Sequence, residues 1–207
     1  MRGWFITFEG GEGAGKSTML ERSHRWLLAN GHTVIKTREP GGTELAEKIR
    51  AIVLDQENTV LCPTAELLLV FAARAQHLHE LIRPALKRGD TVLCDRFTDA
   101  SWAYQGGGRG MPAETIAALE KAVHGDLQPD LTLLLDLPVR LGMERVADRG
   151  NSDRIERESA AFFDRVRQSY LARAAEAPGR FAVIDASLDE ESVWQQVETA
   201  LQQRCSR

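Results

Sequence analysis

The stretch FEGGEGAGKST, Phe8 to Thr18, decides how the rest of the chain is read. Four glycines and one lysine follow a short apolar run, WFITF (Trp4–Phe8), and open a helical pattern that runs from Lys16 to Asn30 before Gly31. The spacing Gly10-x-x-x-x-Gly15-Lys16-Ser17 is that of a phosphate-cradling loop between a strand and a helix. Glycines let the chain turn tightly and bring N–H groups up to phosphate oxygens, and the helix start adds donors and the positive end of its dipole. Gly10, Gly11, Glu12, Gly13, Ala14, Gly15, Lys16, Ser17 and Thr18 are therefore the expected ATP-binding loop. Lys16 is expected to reach the β- and γ-phosphates, and the Ser17 hydroxyl to ligate Mg²⁺. The dinucleotide pattern G-x-G-x-x-G fails, because Lys16 stands where the third glycine after Gly11 and Gly13 is required.

Outward from this loop, short β-rich runs alternate with helical patterns. TVIKTR (Thr33–Arg38), TVLCD (Thr91–Asp95), LTLLLDL (Leu131–Leu137) and FAVID (Phe181–Asp185) complete a set of five strands. Most are continuous apolar runs, as parallel strands buried on both faces must be. Helices are predicted from about Thr43, its hydroxyl a plausible N-cap, from Thr64 to Arg88, and over 112–124, 138–148, 158–176 and 189–204. Strands separated by helices imply right-handed crossovers and a parallel sheet covered on both sides, with ligands in the loops after the strands' carboxyl ends. The expected fold is a single α/β P-loop domain over 1–207, a three-layer sandwich with a five-stranded parallel sheet and a lid loop at about 144–158.

Composition narrows the partners. The 207 residues carry a formal charge of −4, so no basic field draws a nucleic-acid backbone. Three scattered cysteines, Cys62, Cys94 and Cys205, form no metal or disulfide spacing and suit a reducing cytoplasm. His77 and His79, two apart on a helix, point in different directions. The N-terminal apolar run is too short for a signal peptide, and no run is long enough to span a bilayer, so a soluble cytoplasmic protein is expected.

P-loop enzymes hold the metal shell with an Asp at a strand end. Asp95 and Asp136 are the candidates, and Asp95 is favoured because Arg96 follows it directly, pairing a metal ligand with a phosphate ligand. Glu12 is odd: a carboxylate beside an anion site is unfavourable unless it meets a neutral or cationic group, such as a sugar hydroxyl of a second substrate. ERVADRGNSDRIERES (Glu144–Ser159) carries Arg145, Arg149, Arg154 and Arg157, a solvated turn or a flap that brings guanidiniums to a transferring phosphoryl group. Arg149 and Arg154 flank the turn and are the chosen catalytic pair, since the loop has no basic residue before Lys16. On the helix from Thr64, Phe71 and Arg74 share a face, and a guanidinium among Leu, Val and Ala requires a partner. An aromatic face beside a donor fork suits a nucleobase with a carbonyl edge.

At this point the sequence resembles the bacterial thymidylate kinases. The matching segments are FEGGEGAGKST, TREPGGT (Thr37–Thr43), FAAR (Phe71–Arg74), DRF (Asp95–Phe97), SWAYQGGGRG (Ser101–Gly110) and RGNSDRIE (Arg149–Glu156), in order over three quarters of the chain. The resemblance implies phosphoryl transfer from Mg-ATP to dTMP by a homodimer. It also implies dTMP-binding residues. The base would stack on Phe71 and bond Arg74, with Ser101 and Gln105 at its edge. Tyr104 would crowd a 2′-hydroxyl, Arg38, Arg50 and Arg96 would surround the acceptor phosphate, and Glu12 would lie near the 3′-hydroxyl. It further implies a catalytic lid arginine and an adenine site near Asp185–Ser187. A kinase for another nucleoside monophosphate is argued against by Phe71, Arg74 and Tyr104-Gln105; a GTPase-type switch would need N-K-x-D and D-x-x-G, which the sequence lacks.

Overall fold

Alternation along the first strand sets the layers. In β1 (Phe5–Glu9), Ile6 and Phe8 point to one side of the sheet and Phe5 to the other, so β1 is buried on both faces. The computed structural model describes residues 2–58, 60–147, 150 and 153–205. Four further strands, β2 (Val34–Arg38), β3 (Thr91–Asp95), β4 (Leu131–Asp136) and β5 (Phe181–Asp185), join β1 in one parallel sheet of order β2-β3-β1-β4-β5. The central place of β1, with β3 and β4 as neighbours, puts the loop after Glu9 between the ends of both.

One face of the sheet is covered by α1 (Lys16–Ala29) and α9 (Glu190–Cys205), through Met19, Leu27, Val193, Val197 and Leu201 against Ile6, Phe8 and Leu133. On the other face, Leu78, Ile82 and Leu86 pack with Phe5 and Phe97, while Phe162, Val166 and Tyr170 of α8 (Ala160–Glu176) pack with Leu134 and Tyr104. Each fully buried Phe or Leu of this kind contributes ~1.5–3 kcal/mol. The remaining helices are α2 (Glu44–Leu54), α3 (Pro63–His77), α4 (Arg83–Arg88), α5 (Thr98–Ser101), α6 (Ala113–His124) and α7 (Val139–Ala147).

The structure departs from the sequence expectation in three places. Thr43 precedes α2, but its side chain makes no capping hydrogen bond. The helix expected over 64–88 is interrupted by a π-helical turn, Leu78–Ile82, between α3 and α4. Pro84 has no N–H to donate backward, and the widened turn absorbs that loss. WAYQGGG (Trp102–Gly108), a glycine-rich run to which the sequence pattern assigns no element, continues α5 as a π-helix. Close packing on α8 explains the glycines: a Cβ on Gly108 would lie 2.5 Å from the Phe162 ring, and one on Gly107 would lie 2.9 Å from the Arg165 carbonyl oxygen.

Candidate active site

The loop after β1 needs glycine at two points for different neighbours. Gly10 has φ of 134°, and a Cβ there would meet the Leu135 carbonyl oxygen at 2.3 Å. Gly13 has φ of 72°, and a Cβ would meet the Gly142 carbonyl oxygen at 2.5 Å. Both positions lie in the left-handed region, so β4 and α7 can close directly on the loop. Lys16, buried at the start of α1, donates through Nζ to Gly10 O at 3.2 Å and Gly11 O at 2.8 Å. Burial, then the nearby Arg96, lowers its pKa. Bound to its own loop's carbonyls, the ammonium spans the cradle that a phosphate would fill.

A cleft of about 410 Å³ opens over this loop. Glu12 through Thr18 line it, together with Arg38, Arg50, Val70, Arg74, Asp95, Arg96, Ser101, Tyr104, Gln105 and Arg145. Residues from six separate segments of the sequence thus converge. Gly10 and Gly11 face a neighbouring, mostly apolar cavity of about 290 Å³ instead, so the cleft uses the later part of the loop.

On the cleft's cationic side, Arg96 follows β3 with φ of 69°, a conformation rare for a residue with a side chain. Two hydrogen bonds of the following turn hold it there: Arg96 N donates to Phe8 O at 2.9 Å, and Phe97 N to Glu9 Oε1 at 2.7 Å. The guanidinium donates to Gly10 O at 2.8 Å, Tyr170 Oη at 3.1 Å and Glu12 Oε1 at 2.6 Å. Burial alone would lower its pKa, but Glu12, Tyr104 and Tyr170 together push it well above the usual arginine value. Glu12 Oε1 also accepts from Tyr104 Oη at 2.9 Å, which answers why an acid sits in an anion loop: it holds Arg96 and Tyr104 in place. Arg50, donating to Pro40 O at 2.8 Å, has its pKa lowered by burial and then by Arg38 and Arg96. Arg38 is paired with Glu47, Nη2 to Oε2 at 2.9 Å, and Arg96 with Glu12, which leaves Arg50, beside both guanidiniums, without a carboxylate partner among the described residues and open to an anion.

On the other side, Arg74 is buried and makes an ion pair with Glu39, Nε to Oε2 at 2.6 Å, while Nη2 donates to Phe97 O at 3.0 Å and Ser101 Oγ at 3.1 Å. Its Nη1 is buried with no hydrogen-bond partner among the described residues. Such a donor, on a residue lining the cleft, suits an incoming carbonyl. Burial alone would raise the Glu39 carboxyl, but Arg74 and His77 outweigh it and hold it below the ordinary range. His77 is thereby consumed in structure, with Nδ1 3.1 Å from Glu39 Oε1 and Nε2 2.6 Å from Thr37 Oγ1. Phe71 is not open to a ligand: it is 2% exposed, and its ring packs 4.7 Å from the Arg74 guanidinium carbon. Helix α3 turns Val70, one residue earlier, to the cleft, because Val70 and Arg74 are four apart while Phe71 faces Leu67 and Ile116.

The two aspartates divide clearly. Asp136 is taken by a bidentate ion pair with Arg167, at 2.6 and 2.8 Å. Asp95 lines the cleft with a buried Oδ1 that has no protein partner among the described residues. Among the described residues no group of three or more His, Cys, Asp or Glu could hold a metal alone. Mg²⁺ takes one or two protein oxygens and completes its shell with water and phosphate, and Asp95 and Ser17, both lining the cleft, are the oxygens that could hold it.

The lid arginines also divide. Arg149 lies outside the described residues. Arg154 does not line the cleft; its guanidinium donates to Glu66 Oε2 at 2.5 Å and Val53 O at 2.9 Å. Arg145, which the sequence reading passed over, lines the cleft and bridges Gly13 O at 3.2 Å to Ala186 O at 3.4 Å. It therefore joins the phosphate loop to the loop after β5, the segment 185–187 expected beside adenine. Glu39 was missed as well; its only sequence signal was that Arg74 needed a buried counter-ion.

A parallel sheet with a lysine-tipped glycine loop after its central strand, facing a second cationic pocket, defines a P-loop phosphotransferase with two phosphate-bearing substrates. The comparisons narrow this: a family profile described as thymidylate kinase matches residues 8–197. A thymidylate kinase of Alcanivorax borkumensis is 59% identical over 95% of each chain, and one of Pseudomonas savastanoi pv. phaseolicola is 56% identical over 98% of this chain and 97% of its own. The crystal structure of an Ehrlichia chaffeensis thymidylate kinase superposes with a TM-score of 0.80 at 33% identity, over 98% of this chain and 99% of its own. The chain belongs to the thymidylate kinase family.

Proposed function

We propose that the protein transfers the γ-phosphoryl group of Mg-ATP to dTMP, giving dTDP and ADP, as a step toward dTTP. The observation that carries the acceptor assignment is Arg74: a buried, rigidly paired guanidinium in the cleft wall with one donor unused among the described residues. Thymine offers that donor a carbonyl, with Val70 against the ring and Ser101 and Gln105 at its edge. Tyr104, fixed by Glu12, closes the sugar side and crowds a 2′-hydroxyl, and Glu12 lies toward the 3′-hydroxyl. Arg96, Arg50 and Arg38 receive the acceptor phosphate.

The donor phosphates lie along Gly13–Thr18, with Lys16 leaving the loop carbonyls to meet them and Arg145 on the adenine side. Ser17 and Asp95 would hold Mg²⁺, which when bound neutralises charge on the phosphates. The acceptor phosphate is already anionic, so no strong base is required. The chain's residues act by alignment and by neutralising charge, through Lys16, Arg96 and Arg149. Of the two lid arginines expected to act on the phosphoryl group, Arg149 keeps that role, because Arg154 is bound elsewhere.

A homodimer is supported by apolar side chains left exposed on α2 and α3, Leu45, Ile52 and Leu68. A cytoplasmic location is supported by three free cysteines. No helix among the described residues is long and apolar enough to cross a membrane.

The deciding experiment is ADP release from Mg-ATP with dTMP, dUMP, ribo-TMP, AMP and GMP offered separately. The expected result is strong stimulation by dTMP, with ribo-TMP and the purine nucleotides far behind. Turnover with AMP or GMP equal to that with dTMP would overturn the base-reading role of the Arg74 wall.

A further inference from the structure

Glu66 lies on α3, one turn before Val70 and two before Arg74, and is 1% exposed. A lone carboxylate this deep requires donors, and it has them from three residues in two segments, Gln105 on the π-helical stretch with Arg109 at its end, and Arg154 on 153–158. Its Oε1 accepts from Gln105 Nε2 at 2.9 Å, and its Oε2 from Arg154 Nη2 at 2.5 Å and Arg109 Nη2 at 3.3 Å. Arg154 is fixed further by its backbone N to Leu54 O at 3.2 Å and its Nε to Val53 O at 2.9 Å. Arg109 reaches on to Glu158 at 2.5 Å. The segment 153–158, whose Asp153, Ile155 and Glu156 line the cleft, is thus tied at both ends to the group that holds Gln105.

This arrangement has a chemical consequence for the base. A primary amide can present either its oxygen or its NH₂, and only the hydrogen-bond network decides which. With Nε2 committed to a carboxylate that can only accept, Gln105 is left to offer its carbonyl oxygen elsewhere. Beside Arg74, a pure donor, the wall then reads a carbonyl next to an N–H. That is the pattern of thymine and the opposite of cytosine.

We propose that Glu66 is a positioning residue that fixes Gln105 as an acceptor toward the base and, through Arg154, couples that orientation to the seating of segment 153–158. Arg154 is on this account a latch on Glu66 and not a ligand of the transferring phosphoryl group. The inference rests on the reading of Gln105 as a base-edge contact. Burial alone would raise the Glu66 carboxyl, but Gln105, Arg154 and Arg109 hold it below its ordinary value, so it is anionic and acceptor-only at neutral pH.

The test is steady-state kinetics with dTMP and dCMP on wild type, Glu66→Gln, Arg154→Ala, Arg154→Lys, Gln105→Ala and the Glu66→Gln/Arg154→Ala pair, each first checked by thermal melting. Glu66→Gln and Arg154→Ala are expected to raise the dTMP KM about tenfold and to lower the preference for dTMP over dCMP, with Arg154→Lys recovering part of both. The double variant should be no worse than Glu66→Gln alone, since both remove one connection. Loss of kcat in Arg154→Ala with KM and preference intact would return Arg154 to the phosphoryl group and overturn the proposal. So would additive effects in the double variant. If Glu66→Gln does not fold, the comparison of Arg154→Ala with Arg154→Lys decides the same question. Gln105→Ala separates the layers: unchanged base preference there removes the base-edge reading itself, whereas a sensitive Gln105 with a silent Arg154→Ala removes only the coupling.

Discussion

Arg74 donates to Glu39 at 2.6 Å beneath the cleft, with both side chains all but excluded from solvent. The pair is therefore at once a structural tie between α3 and the loop after β2 and the scaffold for the guanidinium's unused donor. Removing one partner leaves the other charge buried alone, which costs ~3–5 kcal/mol. Arg74→Ala is expected to lower urea-denaturation stability by that order and to weaken dTMP binding by roughly 1.5–3 kcal/mol, the value of a hydrogen bond to a charged group. Calorimetric titration of dTMP that showed unchanged affinity would confine Arg74 to the structural tie.

Among the described residues the Lys16 ammonium donates to its own loop's carbonyls, which places its role with the donor phosphates. Lys16→Ala should reduce kcat by about 10²–10³, the effect of deleting one preorganised charge donor. The dTMP dissociation constant should hardly move. Parallel losses in both, measured by turnover and direct binding, would contradict this division.

Glu9 gives a pH prediction with a definite sign. It is wholly buried, accepts from Tyr170 Oη at 2.7 Å, and burial followed by Asp99 raises its pKa from 4.5 to about 8. A carboxyl raised in the folded state contributes stability that is full below the unfolded value and is lost as pH rises through the folded one. The Tm advantage of wild type over Glu9→Gln should thus shrink steadily from pH 5 to pH 8. An advantage that grew with pH would show that Glu9 is ionised in the native protein.

Gly108 tests the helix that the sequence did not announce. A methyl at this position would lie 2.5 Å from the Phe162 ring, so α8 or the Trp102–Gly108 segment must shift. Gly108→Ala should destabilise by ~1–3 kcal/mol through overpacking. Because this segment carries Tyr104 and Gln105, the dTMP KM should rise as well. A thermal melt at the wild-type temperature would refute the packing argument.

Asp95 can be tested by metal titration. Its Oδ1, without a partner among the described residues, predicts that Asp95→Asn raises the Mg²⁺ concentration needed for half-maximal turnover, while EDTA abolishes turnover in both forms. An unchanged requirement would move the metal role away from this carboxylate.

Local chemistry made much of this protein legible from its sequence. The glycine loop, the five strands, most of them apolar runs, and the cationic residues Lys16 and Arg96 follow from backbone geometry and from patterns that repeat within a few residues. That Arg74 needed a partner was also legible, since a charge in an apolar helix face cannot stand alone. Which partner it found was not. Glu39 lies 35 residues away, and Arg154 meets Glu66 across 88. Contacts at such distances are set by how α3, the loop after β2 and the segment 153–158 pack on the sheet, which no local pattern encodes. The same packing decided that Val70 and not Phe71 faces the cleft, a single step of about 100° around a helix, and that a glycine-rich run became a helix pressed on α8. Sequence determined the fold and the chemistry of the phosphate loop. Tertiary structure alone decided which arginine reads the base, which holds a phosphate and which is spent on a buried carboxylate, because guanidiniums alike in sequence are told apart only by what surrounds them.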